Sequence, residues 1–232
     1  MDENFSADFG RLPDGGEAAD ARARLGLMMS SLTLSYVHGA SSTPFLDTTI
    51  GRAYDRAAER YAEREALVVR HQSIRWTYAE LRERVDRCAA GLLSFGLEPG
   101  DRVGIWSPNN AEWTVTQFAT AKAGLVLVNI NPAYRLSELE YALNKVGCRA
   151  LVTASSFKTS DYIAMLRELV PELDDAEPGA LQSERFPSLE LVIHLGSHNE
   201  DGMIRFRDLM DAGTSEHERR LNAIADTLLE PE

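Results

Sequence analysis

The sequence predicts an α/β fold, a three-layer arrangement with a mainly parallel sheet and helices on both faces. Three observations predict it. Strand-like and helix-like runs alternate over residues 103–195, with crossovers long enough for parallel neighbours, which a tight hairpin cannot join. The runs 125–130 and 189–195 are almost continuously apolar instead of alternating, as in strands buried on both faces. Three capping boxes, Thr77 with Glu80, Ser137 with Glu140 and Ser215 with Glu218, open helices.

Residues 1–25 are rich in Asp, Glu, Ala and Gly and poor in large apolar side chains, so a flexible acidic arm is expected there, with residues 26–232 folded. Thr49 caps a helix in which Ile50, Ala53, Tyr54, Ala57 and Tyr61 share one face. Runs 66–70 and 74–76, parted by polar 71–73, read as a hairpin. Behind Thr77, Leu81, Val85, Cys88, Ala89 and Leu92 line one side of a helix that Gly96 ends. A turn at 98–101 feeds the strand 103–106, and Ser107, Pro108, Asn109 and Asn110 break it and cap the next helix. That helix, 111–123, is apolar nearly all round and should be deeply buried.

After Gly124 comes the strand 125–130, ended by Asn131 and Pro132. The Ser137 helix carries Leu139, Leu143 and Val146 on one stripe and stops at Gly147. A strand at 150–154, a loop at 155–159 and a helix capped by Ser160 follow, closed off by Pro171. Residues 176–187 have no period and read as a surface loop before the strand 189–195. The Ser215 helix ends the chain with Leu221, Ile224, Ala225 and Leu228 as its apolar stripe.

With 232 residues, 44% hydrophobic and 26% charged, the chain has enough apolar material for one sizeable core. A net charge of −12 makes a phosphate backbone a poor partner, which argues against nucleic acid. Residues 1–23 show no basic stretch leading into an apolar run, so neither a signal peptide nor a matrix presequence is read there and a cytoplasmic location is expected. No apolar run approaches membrane-spanning length. Cys88 and Cys148 form no CxxC pair and read as core thiols.

The usual phosphate cradles are missing, since no GxGxxG follows a strand and no glycine-rich loop ends in Gly-Lys-Ser or Gly-Lys-Thr. Lys122 is preceded by a helix, whereas a phosphate lysine opens one, so it reads as a helix-end charge. Zinc would need clustered ligands; His194 with His198, and His217 beside Glu218, are the nearest candidates and read as surface or loop histidines. The serine pairs Ser30-Ser31, Ser41-Ser42 and Ser155-Ser156 lack a nucleophile elbow and read as caps and turns. Asp174-Asp175 and Glu200-Asp201 read as solvated loop acids, and Trp76, Trp106 and Trp113 as core indoles. No catalytic, cofactor-binding or metal residue is assigned on these grounds.

Two motifs, with the stretches around them, carry a resemblance. Trp76-Thr77-Tyr78-Ala79-Glu80-Leu81, then Ala121-Lys122-Ala123-Gly124 running into Asn131-Pro132, resemble the first two core motifs of the adenylate-forming superfamily, which includes acyl-CoA synthetases, firefly luciferase and the adenylation domains of peptide synthetases. Gly100-Asp101-Arg102-Val103, Pro108-Asn109-Asn110, Trp113, Tyr134-Arg135 and Glu138-Leu139 keep that family's spacing, so the likeness covers residues 49–232. Ser35-Tyr36-Val37-His38-Gly39, Pro44 and Thr49-Ile50-Gly51 look like the medium- and long-chain fatty acyl-CoA synthetase branch.

The resemblance implies an acid–thiol ligase that joins a carboxylate to ATP and passes the acyl group from the adenylate to the thiol of CoA, using magnesium. It also implies an incomplete, N-terminal part of that fold. The family's third motif, a loop closing in Pro-Lys-Gly around the ATP phosphates, would be expected after Pro231, and the sequence ends at Glu232. The expected chain is therefore truncated and inactive alone, binding neither ATP, CoA nor Mg tightly, with a fatty acid the substrate of the full enzyme. The alternative is an assembly, dimerisation or nucleotide-binding module, forming a homo-oligomer, pairing with a separate missing lobe, or using the strand ends near Ser107 to Asn110.

Overall fold

The computed structural model describes Leu46 and residues 48–227; the expected arm at 1–25 and Leu228 lie outside the described residues. Thr49 Oγ1 accepts from the Arg52 amide and opens α1 (Ile50–Arg60). The hairpin β1 (Glu65–Val69) and β2 (Ile74–Thr77) turns through a short 3₁₀ segment, Arg70–Gln72, with Ser73 in the left-handed region at φ 55°. Thr77 and Glu80 form the expected reciprocal cap of α2 (Tyr78–Ser94).

The remaining elements run β3 (Arg102–Trp106), α3 (Ala111–Lys122), β4 (Val126–Ile130), α4 (Leu136–Val146), β5 (Ala150–Thr153), a small hairpin of β6 (Ser156–Phe157) and β7 (Ser160–Asp161), and α5 (Tyr162–Leu169). Then come β8 (Leu191–His194), β9 (Ile204–Arg205), α6 (Phe206–Ala212) and α7 (Ser215–Thr227). Among the described residues the main sheet has five strands in the order β4-β3-β5-β8-β9, and every neighbouring pair is parallel. That is the predicted architecture.

Strand order explains the layers. The chain steps from β3 out to β4, then crosses back over β3 to β5 and on to β8, so the winding reverses at β3. Reversal puts α3, the crossover from β3 to β4, on one face and α4 and α5, the crossovers that run back the other way, on the opposite face. α1, α2, α3, α6 and α7 cover one face around Val103, Ile105, Val152 and Ile193, while α4 and α5 cover the other around Trp106, Leu151 and Val192.

Several local expectations change. The strand 125–130 is not buried on both faces: among the described residues β4 is an edge strand, and Val126 is 48% exposed. The cap of α4 falls two residues early, because the Glu138 carboxylate accepts from the Arg135 amide. Asp161, not Ser160, caps α5 by accepting from the Ala164 amide; the loop at 155–159 is folded into the β6–β7 hairpin, which moves the helix start by one residue. Ser215 is already helical in α7, and the Thr214 amide donates to His217 Nδ1. α3 buries Val115 and Ala119, while its other side is half-covered, so it is not enclosed all round.

Two contacts lock the helical layer. At the end of α3, Lys122 Nζ lies 2.7 Å from Asp55 of α1 and also contacts Asp86 of α2, with Arg82 3.4 Å from Asp55. The helix-end charge is thus also a three-helix clamp. Between α2 and α6 the backbones almost touch: a Cβ added at Gly91 would lie 2.1 Å from the Leu209 carbonyl oxygen.

Gly91→Ala should therefore lower the urea midpoint of this chain by an amount equivalent to about 1–3 kcal/mol, since the obstacle is backbone and cannot rotate away; an unchanged midpoint would contradict the close approach. Lys122→Met should cost about 1–3 kcal/mol at neutral pH, because it leaves two partly buried carboxylates facing each other. Burial already pushes the Asp86 carboxyl up. A raised carboxyl favours the fold at low pH, so the deficit should shrink as pH falls toward about 4, which a pH series of denaturant midpoints reads directly.

Candidate functional site

The reversal at β3 leaves a crevice outside the carboxyl ends of the strands, where open parallel sheets take ligands. Here it is a cavity of about 480 Å³ whose lining includes Ser107, Asn109, Trp113, Asn129, Asn131 and Phe157. Each wall has a local cause. Ser107 and Pro108 break β3, and the Asn110 side chain ties the turn together by donating to Ser107 Oγ while its Oδ1 accepts from the Trp113 amide. Asn131 ends β4 by accepting from the Ala133 amide. The floor is braced by the Tyr162 ring stacked on Trp106, centroids 3.5 Å apart, with the Tyr162 hydroxyl donating to the Pro132 carbonyl.

Chemically the crevice is neutral. Its lining contains no acid, base, thiol or cation. It offers the Asn109 and Asn129 amides together with the Trp113 and Phe157 rings, so it can hydrogen-bond and stack on an uncharged planar group. It has no group for moving a proton or neutralising a phosphate.

The other sequence candidates are scattered. Lys122 is held in its clamp, in the helical layer. Cys88 and Cys148 are buried free thiols, and burial pushes them up to about 12 and about 11, so neither is a ready thiolate. Asp174 and Glu200 both pair with Arg167 and are not simply solvated, Glu200 at 3.1 Å. Of the tryptophans, only Trp106 is fully buried; Trp76 and Trp113 are half-buried and line cavities, because each sits where a helix or hairpin meets the sheet rim. Among the described residues no group of three His, Cys, Asp or Glu could hold a metal.

His194 departs furthest from expectation. It is 1% exposed at the end of β8, and neither ring nitrogen has a partner among the described residues. The last residue of a central strand is enclosed by its neighbours, here Thr153 and Arg205 in register. Two buried strands meeting there could have signalled this. Burial holds its pKa below the usual 6.5, Glu200 and Asp208 opposing and Arg205 adding to the shift. A histidine with a lowered folded pKa contributes stability above its unfolded value that is lost as pH falls through the folded one. The denaturant midpoint should therefore fall as pH drops from 7.5 toward 5.5, by up to about 1.4 kcal/mol per pH unit for the one proton taken up, and His194→Phe should flatten that slope. An identical slope in both proteins would exclude His194 as its source.

A family model described as AMP-binding enzyme matches residues 54–220. A mitochondrial medium-chain acyl-CoA ligase of Danio rerio is 46% identical over 199 residues, covering 86% of this chain and 33% of the relative. Its Homo sapiens counterpart is 51% identical over 160 residues, covering 69% and 26%. Among solved structures, the acetoacetyl-CoA synthetase of Streptomyces lividans superposes with a TM-score of 0.60 at 27% identity, covering 72% of this chain and 25% of that one. The expectation of a cytoplasmic location is corrected by these ligases, which are named as mitochondrial. It rested on the absence of a leader pattern in residues 1–23, and an absence carries no compartment information. The expected likeness to the adenylate-forming superfamily holds: the chain spans about a third of the length of the curated relatives it matches, and it belongs to the AMP-binding enzyme family.

Proposed function

We propose that this chain forms the N-terminal lobe of an AMP-forming acyl-CoA ligase for a medium-chain fatty acid, and that the lobe by itself is catalytically silent. The observation that carries the first part is the 46–51% identity to relatives named as medium-chain acyl-CoA ligases. The second part rests on the crevice. Acyl transfer through an adenylate brings a carboxylate against a triphosphate, two groups of like charge that need cations between them. The crevice lining supplies none.

In the full reaction a carboxylate oxygen attacks the α-phosphorus of ATP and releases pyrophosphate, and the thiol of CoA then displaces AMP. ATP and CoA are substrates, and magnesium would neutralise phosphate charge. The crevice lining does not fit a magnesium or triphosphate site, having no carboxylate, no cation and no glycine-rich cradle. Residues from the remaining length of the relatives would provide both. What this lobe contributes is a rigid wall: the Lys122 clamp fixes three helices, and the crevice amides and rings can receive an uncharged part of a substrate.

Carboxylate-dependent exchange of labelled pyrophosphate into ATP, with octanoate as the acid, separates the two parts. This chain alone should give no exchange above a no-protein control. Exchange by the chain alone would overturn the silent-lobe reading. A longer protein containing this lobe should exchange with octanoate, and failure with every medium-chain acid would overturn the ligase reading.

A further inference from the structure

A second cavity, about 580 Å³, opens at the rim of the sheet on the helical face and plays no part in the crevice just described. Its floor is apolar: Trp76 from β2, Val115 from α3, and Phe206 and Met210 from α6 line it, with Leu195 just past β8. Phe206 is 7% exposed and Val115 1%, so this floor is held by the core. The size lies within the range of small-molecule sites, roughly 300–1,000 Å³.

The rim is cationic. Arg84, Arg87 and Arg207 line it against two carboxylates, Glu112 and Asp211. Asp211 pairs with Arg87, and Glu112 accepts from the neutral Gln72 Nε2 at 2.8 Å and keeps its charge, so three guanidinium groups face two carboxylates. Arg84 lies 4.3 Å over the Trp76 ring and donates one bond to the Glu80 carbonyl, and neither it nor Arg207 has a carboxylate within ion-pair distance among the described residues. A chain of net charge −12 thus carries a local excess of positive charge above an apolar floor. Guanidinium forks bind carboxylate and phosphate oxygens in pairs, and an apolar floor adds affinity only to a ligand with an apolar body.

We propose that this cavity is a binding site for a small amphipathic anion, a carboxylate or phosphate monoester on a short apolar tail, held by Arg84 and Arg207 with its tail over Trp76, Val115 and Phe206. The site is separate from the ligase chemistry and does not depend on it. Arg84 would meet the head group from the Trp76 side and Arg207 from α6, so the ligand would bridge the hairpin, α2 and α6.

Trp76 provides the reporter. The chain is titrated with octyl phosphate, octanoate and octanol, followed by tryptophan fluorescence and by calorimetry. Both anions should saturate, and the tighter one identifies the head group; octanol should bind at least about tenfold more weakly, the ratio expected for losing a charge-assisted pair. Arg207→Gln and Arg84→Gln should each weaken the anions about tenfold and leave octanol unchanged. Trp76→Phe should remove most of the fluorescence response while calorimetry still registers binding. Arg207 is exposed, so its replacement leaves the fold intact, checked by circular dichroism. Equal affinity for octanol and the anions, undiminished anion binding by Arg207→Gln, or no saturation by about 1 mM would overturn the proposal. None of those outcomes bears on pyrophosphate exchange.

Discussion

Parallel strands cannot be joined by tight turns, and this constraint organises the molecule. Each step from β3 to β4, β5 and β8 needs a crossover that returns the chain to the same end of the sheet, so helices accumulate on the faces and loops at the carboxyl ends. Because the winding reverses at β3, the loops after β3 and β4 diverge and leave a gap between them. The two helical layers, the buried strands and the crevice all descend from that one reversal.

The helical layer is fastened by a few specific contacts in addition to apolar burial. Lys122 ends α3 where its dipole favours a cation, and the same charge collects Asp55 and Asp86 from two other helices. One residue therefore satisfies a local and a tertiary demand. Gly91 allows α6 to sit against α2 at backbone distance, which brings Phe206 and Met210 over the rim and creates the second cavity. Among the described residues the opposite layer holds two crossover helices, and its brace is aromatic, with Tyr162 linking β3, α5 and the loop after β4.

Much of this was legible in the sequence, for physical reasons that vary by element. Crossover length and apolar continuity announce parallel strands, and the Thr77–Glu80 cap is local, so it survives folding unchanged. What depended on strand order was not legible: Leu125 to Ile130 reads as a doubly buried run, yet the edge position leaves Val126 exposed. Two-residue strands such as β6, β7 and β9 are too short to have a period, and α6 follows directly on β9 without an advertised cap. The clamp partners of Lys122 lie 67 and 36 residues away in sequence, beyond any local pattern. The crevice was foreshadowed at Ser107 to Asn110, but its neutrality appears only when Asn129 and Phe157 join it. His194 was misread because burial at a strand end is decided by neighbouring strands.

The approach of α6 to α2 also sets an order of events during synthesis. Gly91 and Leu209 are far apart along the chain, so α2 emerges long before the helix that covers it exists. Until α6 and α7 arrive, Leu92, Leu93 and Ile193 have an incomplete cover, and a growing chain presents that apolar surface to whatever surrounds the ribosome. α6 and α7 follow in sequence the strands and the helix they cover, so this side of the sheet stays open until they are made, and substitutions in α6 would show first as lower yield of folded protein.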